Sequence, residues 1–198
     1  MRNPFCSERL LYRAIRDTPE DEAFVHSVQA DPEAYALSNM SLLRPESTAS
    51  SAEWKKYLTE KYLIAVIICI APPLPSARAE HKEPQPIGII SLTNPRPGWE
   101  HHRNSNISID IIAAHQKKGY GSEAIRWIVD WGFRTAGLHR IGIKCFSYNT
   151  GAARLYERLG FVPEGRKREA VWFDGGWHDG LQFAMLEQEW REKQLREC

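Results

Sequence analysis

Gln116-Lys117-Lys118-Gly119-Tyr120-Gly121-Ser122-Glu123-Ala124 is the stretch on which the fold turns. An alternating apolar run, Ile107-Ser108-Ile109-Asp110-Ile111-Ile112, comes just before it, and an apolar-periodic segment from Ala124 to Phe133 follows. Strand, glycine loop and helix in that order turn several backbone N–H groups toward an anion. Gly119 and Gly121 lack a Cβ, so a phosphate can approach the main chain closely. The helix N-terminus adds a partial positive charge. The expected chemistry is recognition of a phosphorylated cofactor. The competing reading is a plain glycine-containing turn with no ligand. The spacing is not Gly-x-Gly-x-x-Gly and does not end in Gly-Lys-Ser/Thr, which argues against a dinucleotide fold and a nucleotide triphosphatase.

Outward from that loop, the chain reads as an ordinary soluble globular protein. Its 198 residues suffice for one domain with a real core. Apolar residues make up 42% and charged residues 26% of the chain. A net charge of +1 gives no field to draw in nucleic acid or an anionic membrane, so neither is expected as a partner. Cys6, Cys69, Cys145 and Cys198 have no metal-ligand or redox spacing. Cys69 and Cys145 lie in apolar runs as reduced core residues, which favours a reducing, cytoplasmic setting. Residues 1–8 have no apolar stretch of the secretory kind, and Leu63 to Ala71 is too short to span a bilayer.

Along the chain, Leu10 to Ile15 reads as a strand, 19–30 as a helix opened by a proline and acids, and 49–61 as a second helix. Asp31-Pro32-Glu33 starts a short turn of helix or an irregular segment, and 41–50 is a loop. The β-branched run 63–70 reads as a strand covered on both faces. It pairs with 87–92 across a long, exposed, proline-rich loop at 71–86. A polar loop spans 94–105; His101-His102 within it invite a metal, but no other ligand has helpful spacing, so no metal site is expected. Strand 106–112, helix 119–136, strand 139–146 and helix 149–159 follow. A hairpin joins 166–173 to 178–186, and 187–198 reads as a frayed helical end. The order predicts an α+β protein: a mixed sheet with helices on both faces, three layers α/β/α.

Two motifs resemble a known family. Asp110-Ile111-Ile112 with Gln116 to Ala124 resembles the acetyl-CoA-binding motif of the GNAT (GCN5-related) N-acetyltransferases. Asn149-Thr150-Gly151-Ala152-Ala153-Arg154-Leu155-Tyr156-Glu157-Arg158-Leu159-Gly160-Phe161 resembles that family's second signature. Trp172-x-Asp174-Gly175-x-Trp177-His178-Asp179 is similar to the ribosomal-protein N-terminal and spermidine acetyltransferase branch. The resemblance is clearest over 87–186. It implies the acyl-CoA N-acyltransferase fold: a mostly antiparallel sheet with two central parallel strands that splay apart around the pantetheine arm. It implies acetyl-CoA as co-substrate and a primary amine as acceptor: a protein N-terminus, a polyamine or another small amine. It leaves a homodimer open.

The resemblance also implies the site. The backbones of Ile111, Ile112 and Ala113 would pair with pantetheine. The N–H groups of Gln116, Lys117, Lys118, Gly119, Tyr120, Gly121 and Ser122 would hold the pyrophosphate. Asn149 would contact the cofactor; from spacing alone it is a helix N-cap. Tyr156 would be the general acid for the departing thiolate; from spacing alone it is a core aromatic. Many relatives carry a glutamate base where this chain has Asn106, and an amide takes no proton. Asp110 is the nearest ionisable alternative on the strand, with His115 and a water chain as further ones. A His178/Asp179 dyad lacks a nucleophile, so acyl-enzyme chemistry is not expected. A non-catalytic acyl-CoA-binding module is the alternative to an enzyme.

Overall fold

The computed structural model describes residues 3–71 and 83–197. In chain order it runs β1 (Leu10–Ala14), α1 (Pro19–Gln29), α2 (Pro32–Ser38), α3 (Thr48–Lys61), β2 (Tyr62–Ile70), β3 (Gln85–Thr93), β4 (Asn104–Ile111), α4 (Tyr120–Arg134), β5 (Arg140–Phe146), α5 (Thr150–Leu159), β6 (Val162–Phe173), β7 (Gly176–Leu186) and α6 (Glu187–Glu197). Residues 72–82 of the expected proline-rich loop lie outside the described residues.

Local chemistry explains the helix starts. Thr18, Asp31, Ser47 and Asn149 each accept a hydrogen bond from a backbone N–H of the first turn, and Pro19 and Pro32 stand where a missing N–H costs nothing. The Asp31 cap extends what the sequence suggested as a short turn into the seven-residue α2. The charged tail is likewise a helix, α6. Trp190, only 7% exposed, anchors it against Phe133 with ring centroids 5.5 Å apart. Charge patterning alone reads as fraying because one aromatic supplies the docking.

The seven strands form one sheet in the order β1-β2-β3-β4-β5-β7-β6. All neighbours are antiparallel except β4 and β5. The run 62–70 is continuous in apolar residues because both of its faces are covered. Val66 and Ile68 enter a core with α4, α5 and α6, while Ile67 and Cys69 enter one with α1 and α3. This is the three-layer α/β/α arrangement.

What positions the site is the pairing of β4 with β5. It covers only Asn104↔Arg140, Ser105↔Ile141 and Asn106↔Gly142. Beyond Asn106 the strands part. Strand β4 starts two residues earlier than the polarity of 94–105 suggested, and those residues supply the parallel pairing. At the fork a Cβ on Gly142 would stand 2.4 Å from the Asn106 Oδ1, so only glycine lets that side chain lie across β5.

Candidate active site

The parted strands open a cleft of about 880 Å³. One end is the loop and N-terminus of α4, the other the junction of β5 with α5, and α2 forms a third wall.

In an antiparallel ladder, alternate residues turn their N–H and C=O groups away from the partner strand. The Ile112 N–H bonds the Ile87 carbonyl at 3.0 Å, and the Asn106 N–H bonds the Thr93 Oγ1 at 3.0 Å. Even-numbered β4 residues therefore face β3, and Ile107, Ile109 and Ile111 face the gap. This corrects the pantetheine expectation for Ile112: its N–H is spent on Ile87 and its carbonyl accepts from the His115 N–H. The Ala113 carbonyl accepts from the Gln116 N–H. The Gln116 side chain donates to the Ile111 carbonyl at 2.9 Å, tying the loop to the strand end.

Gln116, Lys117, Gly119, Gly121 and Ser122 line the cleft, with His115; Ile112, Ala113, Lys118 and Tyr120 do not. Gly119 caps α4 at φ +85°, which suits glycine. The first-turn N–H groups of α4 have no carbonyl within the helix to bond. A Cβ at Gly121 would meet no atom within 4 Å, so the space a phosphate needs is there. Lys118 donates instead to the Ala114 carbonyl at 2.8 Å. Tyr120 lies under the Arg9 guanidinium, 4.8 Å from its ring centroid.

Arg9, just before β1, braces this loop. It donates to the Lys118 carbonyl at 3.2 Å and pairs with Glu123 at 2.8 Å. The Ser7 hydroxyl and the Arg9 N–H also reach Glu123, at 2.6 and 2.7 Å. Burial pushes the Glu123 carboxyl up, but these hydrogen bonds outweigh it and hold it low. The carboxylate is thus neutralised beside the helix start, leaving that end to an incoming anion. The sequence reading missed Arg9 because its partner lies 114 residues away.

Asp110 is half-buried in the cleft wall. Burial pushes its carboxyl up, opposed by the nearby Ser38 side chain, whose hydroxyl donates to the Ala34 carbonyl at 3.1 Å. Tyr156, 7% exposed, lines the cleft among Phe161 and Phe183. Burial raises its phenol, with Cys145 and Asp110 adding to the effect. Asp110 and Tyr156 thus line the same cleft. Asn149 caps α5 by accepting from the Ala152 N–H at 3.1 Å, and its amide donates to the Leu37 carbonyl at 3.3 Å. Tyr148 donates to the Ala36 carbonyl at 2.6 Å. These two bonds hang α2 over the cleft; neither Tyr148 nor Ser38 carried a sequence signal, because α2 lies 112 residues from its tether.

His178 and Asp179 belong to the hairpin. The Asp179 carboxylate accepts from Arg166 and from the Glu169 N–H, and the His178 ring meets Tyr148 edge-on. Among the described residues no group of three His, Cys, Asp or Glu side chains could hold a metal ion, and no helix is long and apolar enough to cross a membrane.

Residues 9–162 match the acetyltransferase (GNAT) domain. The chain belongs to the GNAT acetyltransferase family. Among curated relatives, the uncharacterized N-acetyltransferase YoaA of Bacillus subtilis is 36% identical over 43% of this chain and 48% of its own length. The chain thus spans about half of that relative. The spermidine N(1)-acetyltransferase of Vibrio cholerae is 33% identical over 43% of this chain and 50% of its own length. The SPbeta prophage-derived YokL of Bacillus subtilis is 25% identical over 93% of this chain and 94% of its own. A solved spermidine N-acetyltransferase from Vibrio cholerae, in complex with CoA and spermine, superposes with a TM-score of 0.77 at 22% identity, over 93% of this chain and 99% of that one. At that identity the likeness is one of fold. GNAT acetyltransferases use acetyl-CoA, and the parted strands, the open space at Gly121 and the α4 N-terminus fit it.

Proposed function

We propose that this protein is an acetyl-CoA-dependent N-acetyltransferase that moves an acetyl group to a primary amine by direct attack within a ternary complex. The parting of β4 from β5 after Asn106 carries this reading, because it exposes strand backbone between an anion-binding helix end and an acid–base pair. Bound acetyl-CoA supplies an activated thioester. The N–H and C=O of Ile109 and the N–H of Ile111 offer strand-like pairing to an extended arm, and the first turn of α4 holds phosphate. Asn149 keeps its amide beside that arm.

Asp110 takes the amine's proton, directly or through water. A raised carboxyl is a better base than an ordinary one. Tyr156 donates a hydrogen bond to the departing sulfur. A thiol has pKa ~8.5 and a free phenol ~10, and burial makes this phenol weaker still, so stabilisation rather than full transfer is its role. An acyl-enzyme is disfavoured: burial pushes the Cys145 thiol up to about 11, and Cys69 lies in the core on the other side of the sheet. Free, buried Cys69 and Cys145 also suit a cytoplasmic setting.

The test follows release of free thiol from acetyl-CoA across a panel of amines, with calorimetric measurement of CoA binding alongside. Turnover of at least one amine is expected. Asn106, an amide that takes no proton at the head of the parted strands, favours a second reading, a CoA-binding module. CoA binding without turnover of any amine would establish that reading instead.

A further inference from the structure

The proposal concerns the acceptor, and it rests on the acetyltransferase reading above. Among the described residues lining the cleft, Asp110 is the one carboxylate, whereas Lys117, Lys144, Arg154 and Arg158 are cations. The phosphates of a bound CoA can answer such cations; they do not add carboxylates. A polyamine seated there would present several ammonium groups to a single acid. Each unmatched cation would be desolvated without a partner.

A second cavity, a groove of about 380 Å³, lies directly against the first. It is lined by Pro32, Glu33, Ala36, Leu37, Leu43 and Phe173. Leu37 lines both cavities, one residue along α2 from Ser38, which lines the cleft with Asp110. The rings of Tyr148 in the cleft and Phe173 in the groove stack 4.6 Å apart, completing the shared wall. The groove is apolar save for Glu33, an exposed residue in the first turn of α2, where the helix end favours an acid. At its rim the connection between α2 and α3 exposes Met40 (67%), Leu42 (73%) and Leu43 (50%).

We infer that the acceptor is the α-amino end of a peptide that begins with apolar residues: its amine sits at Asp110 and an apolar side chain crosses Leu37 into the groove beneath Leu43. One acid suits one amine, and an apolar groove suits an apolar side chain. Base strength points the same way. An α-amine, with pKa about 7.7–8.0, is neutral in roughly one molecule in ten at pH 7, whereas an alkylamine near 10.4 is neutral in about one in a few thousand. A site with Asn106 at the fork and a lone aspartate as base handles the first far better than the second.

The experiment compares kcat/KM, by thiol release, for short peptide amides starting with Leu or Phe, for the same peptides starting with Ser or Asp, for spermidine, and for an apolar alkylamine. Leu- and Phe-initial peptides are expected to lead every other acceptor by roughly 10-fold or more, the discrimination an apolar pocket gives. Leu43→Asp should raise their KM about 10-fold while CoA affinity holds, and Leu43→Met should restore it. Spermidine, the alkylamine or polar-initial peptides turned over equally well or better, or an unmoved KM in Leu43→Asp, overturns the proposal. CoA binding without turnover of any amine overturns the acetyltransferase reading itself, and this one with it.

Discussion

At the scale of single residues, the roles proposed for Tyr156 and Asp110 carry opposite demands. Tyr156 must keep its proton until sulfur departs, and burial ensures this by disfavouring the phenolate. Tyr156→Phe removes the donor but keeps the ring against Phe161 and Phe183. We expect kcat to fall about 100-fold with CoA affinity unchanged, checked by steady-state kinetics and calorimetry. Asp110 must give up its proton, and burial resists that. Its folded pKa lies above the unfolded value, so the folded state binds the extra proton. The stability this group contributes is present below the unfolded value and lost as pH rises through the folded one. Asp110→Asn should therefore raise Tm at neutral pH by roughly 2 °C or more while kcat/KM drops about 100-fold. The acid limb of the wild-type pH–rate profile should vanish with it. A lower Tm in the variant would show that the carboxylate is stabilised rather than strained.

At the scale of elements, the site depends on which strands touch and which helix is tethered. Gly142 lets Asn106 lie across β5 at the last paired rung. Gly142→Ala would force that amide into the cleft; we expect weaker CoA binding by about 10-fold and a stability loss of ~1–3 kcal/mol, read by calorimetry and denaturant titration. The α2 tether is separable from the cofactor end. Tyr148→Phe loses only the bond to the Ala36 carbonyl, costing about 1 kcal/mol, and should raise the acceptor's KM with the CoA dissociation constant unmoved. The glycine loop, the α4 amphipathic run and the Asn149 cap were legible in the sequence because each is a local pattern. The boundary of Ile112 was not: which face of a strand end is already bonded depends on β3, twenty-five residues upstream in the Ile87 pairing. Helix α6 escaped because charges along a helix describe its wet face, while a single buried Trp190 decides whether it docks.

At the scale of the whole molecule, two cores sandwich one sheet, and the cleft lies where the sheet divides. Trp190→Ala should cost about 3–5 kcal/mol, measured by denaturant titration, while leaving CoA affinity intact, because α6 packs against α4 away from the cleft lining. A linked loss of CoA binding would show that the α4 N-terminus is held by that distant packing. By itself the sequence carried the resemblance to the family, the layered architecture, the glycine loop ahead of α4 and the Asn149 helix cap. The family comes from the resemblance of two motifs, and the rest from hydrophobic period and turn chemistry, which act within a few residues. Tertiary structure alone decided that Arg9 neutralises Glu123, and that α2 hangs from Tyr148 and Asn149 beside an apolar groove. Those facts come from contacts between residues about a hundred positions apart, and no local pattern encodes which distant partners a folded sheet will bring together.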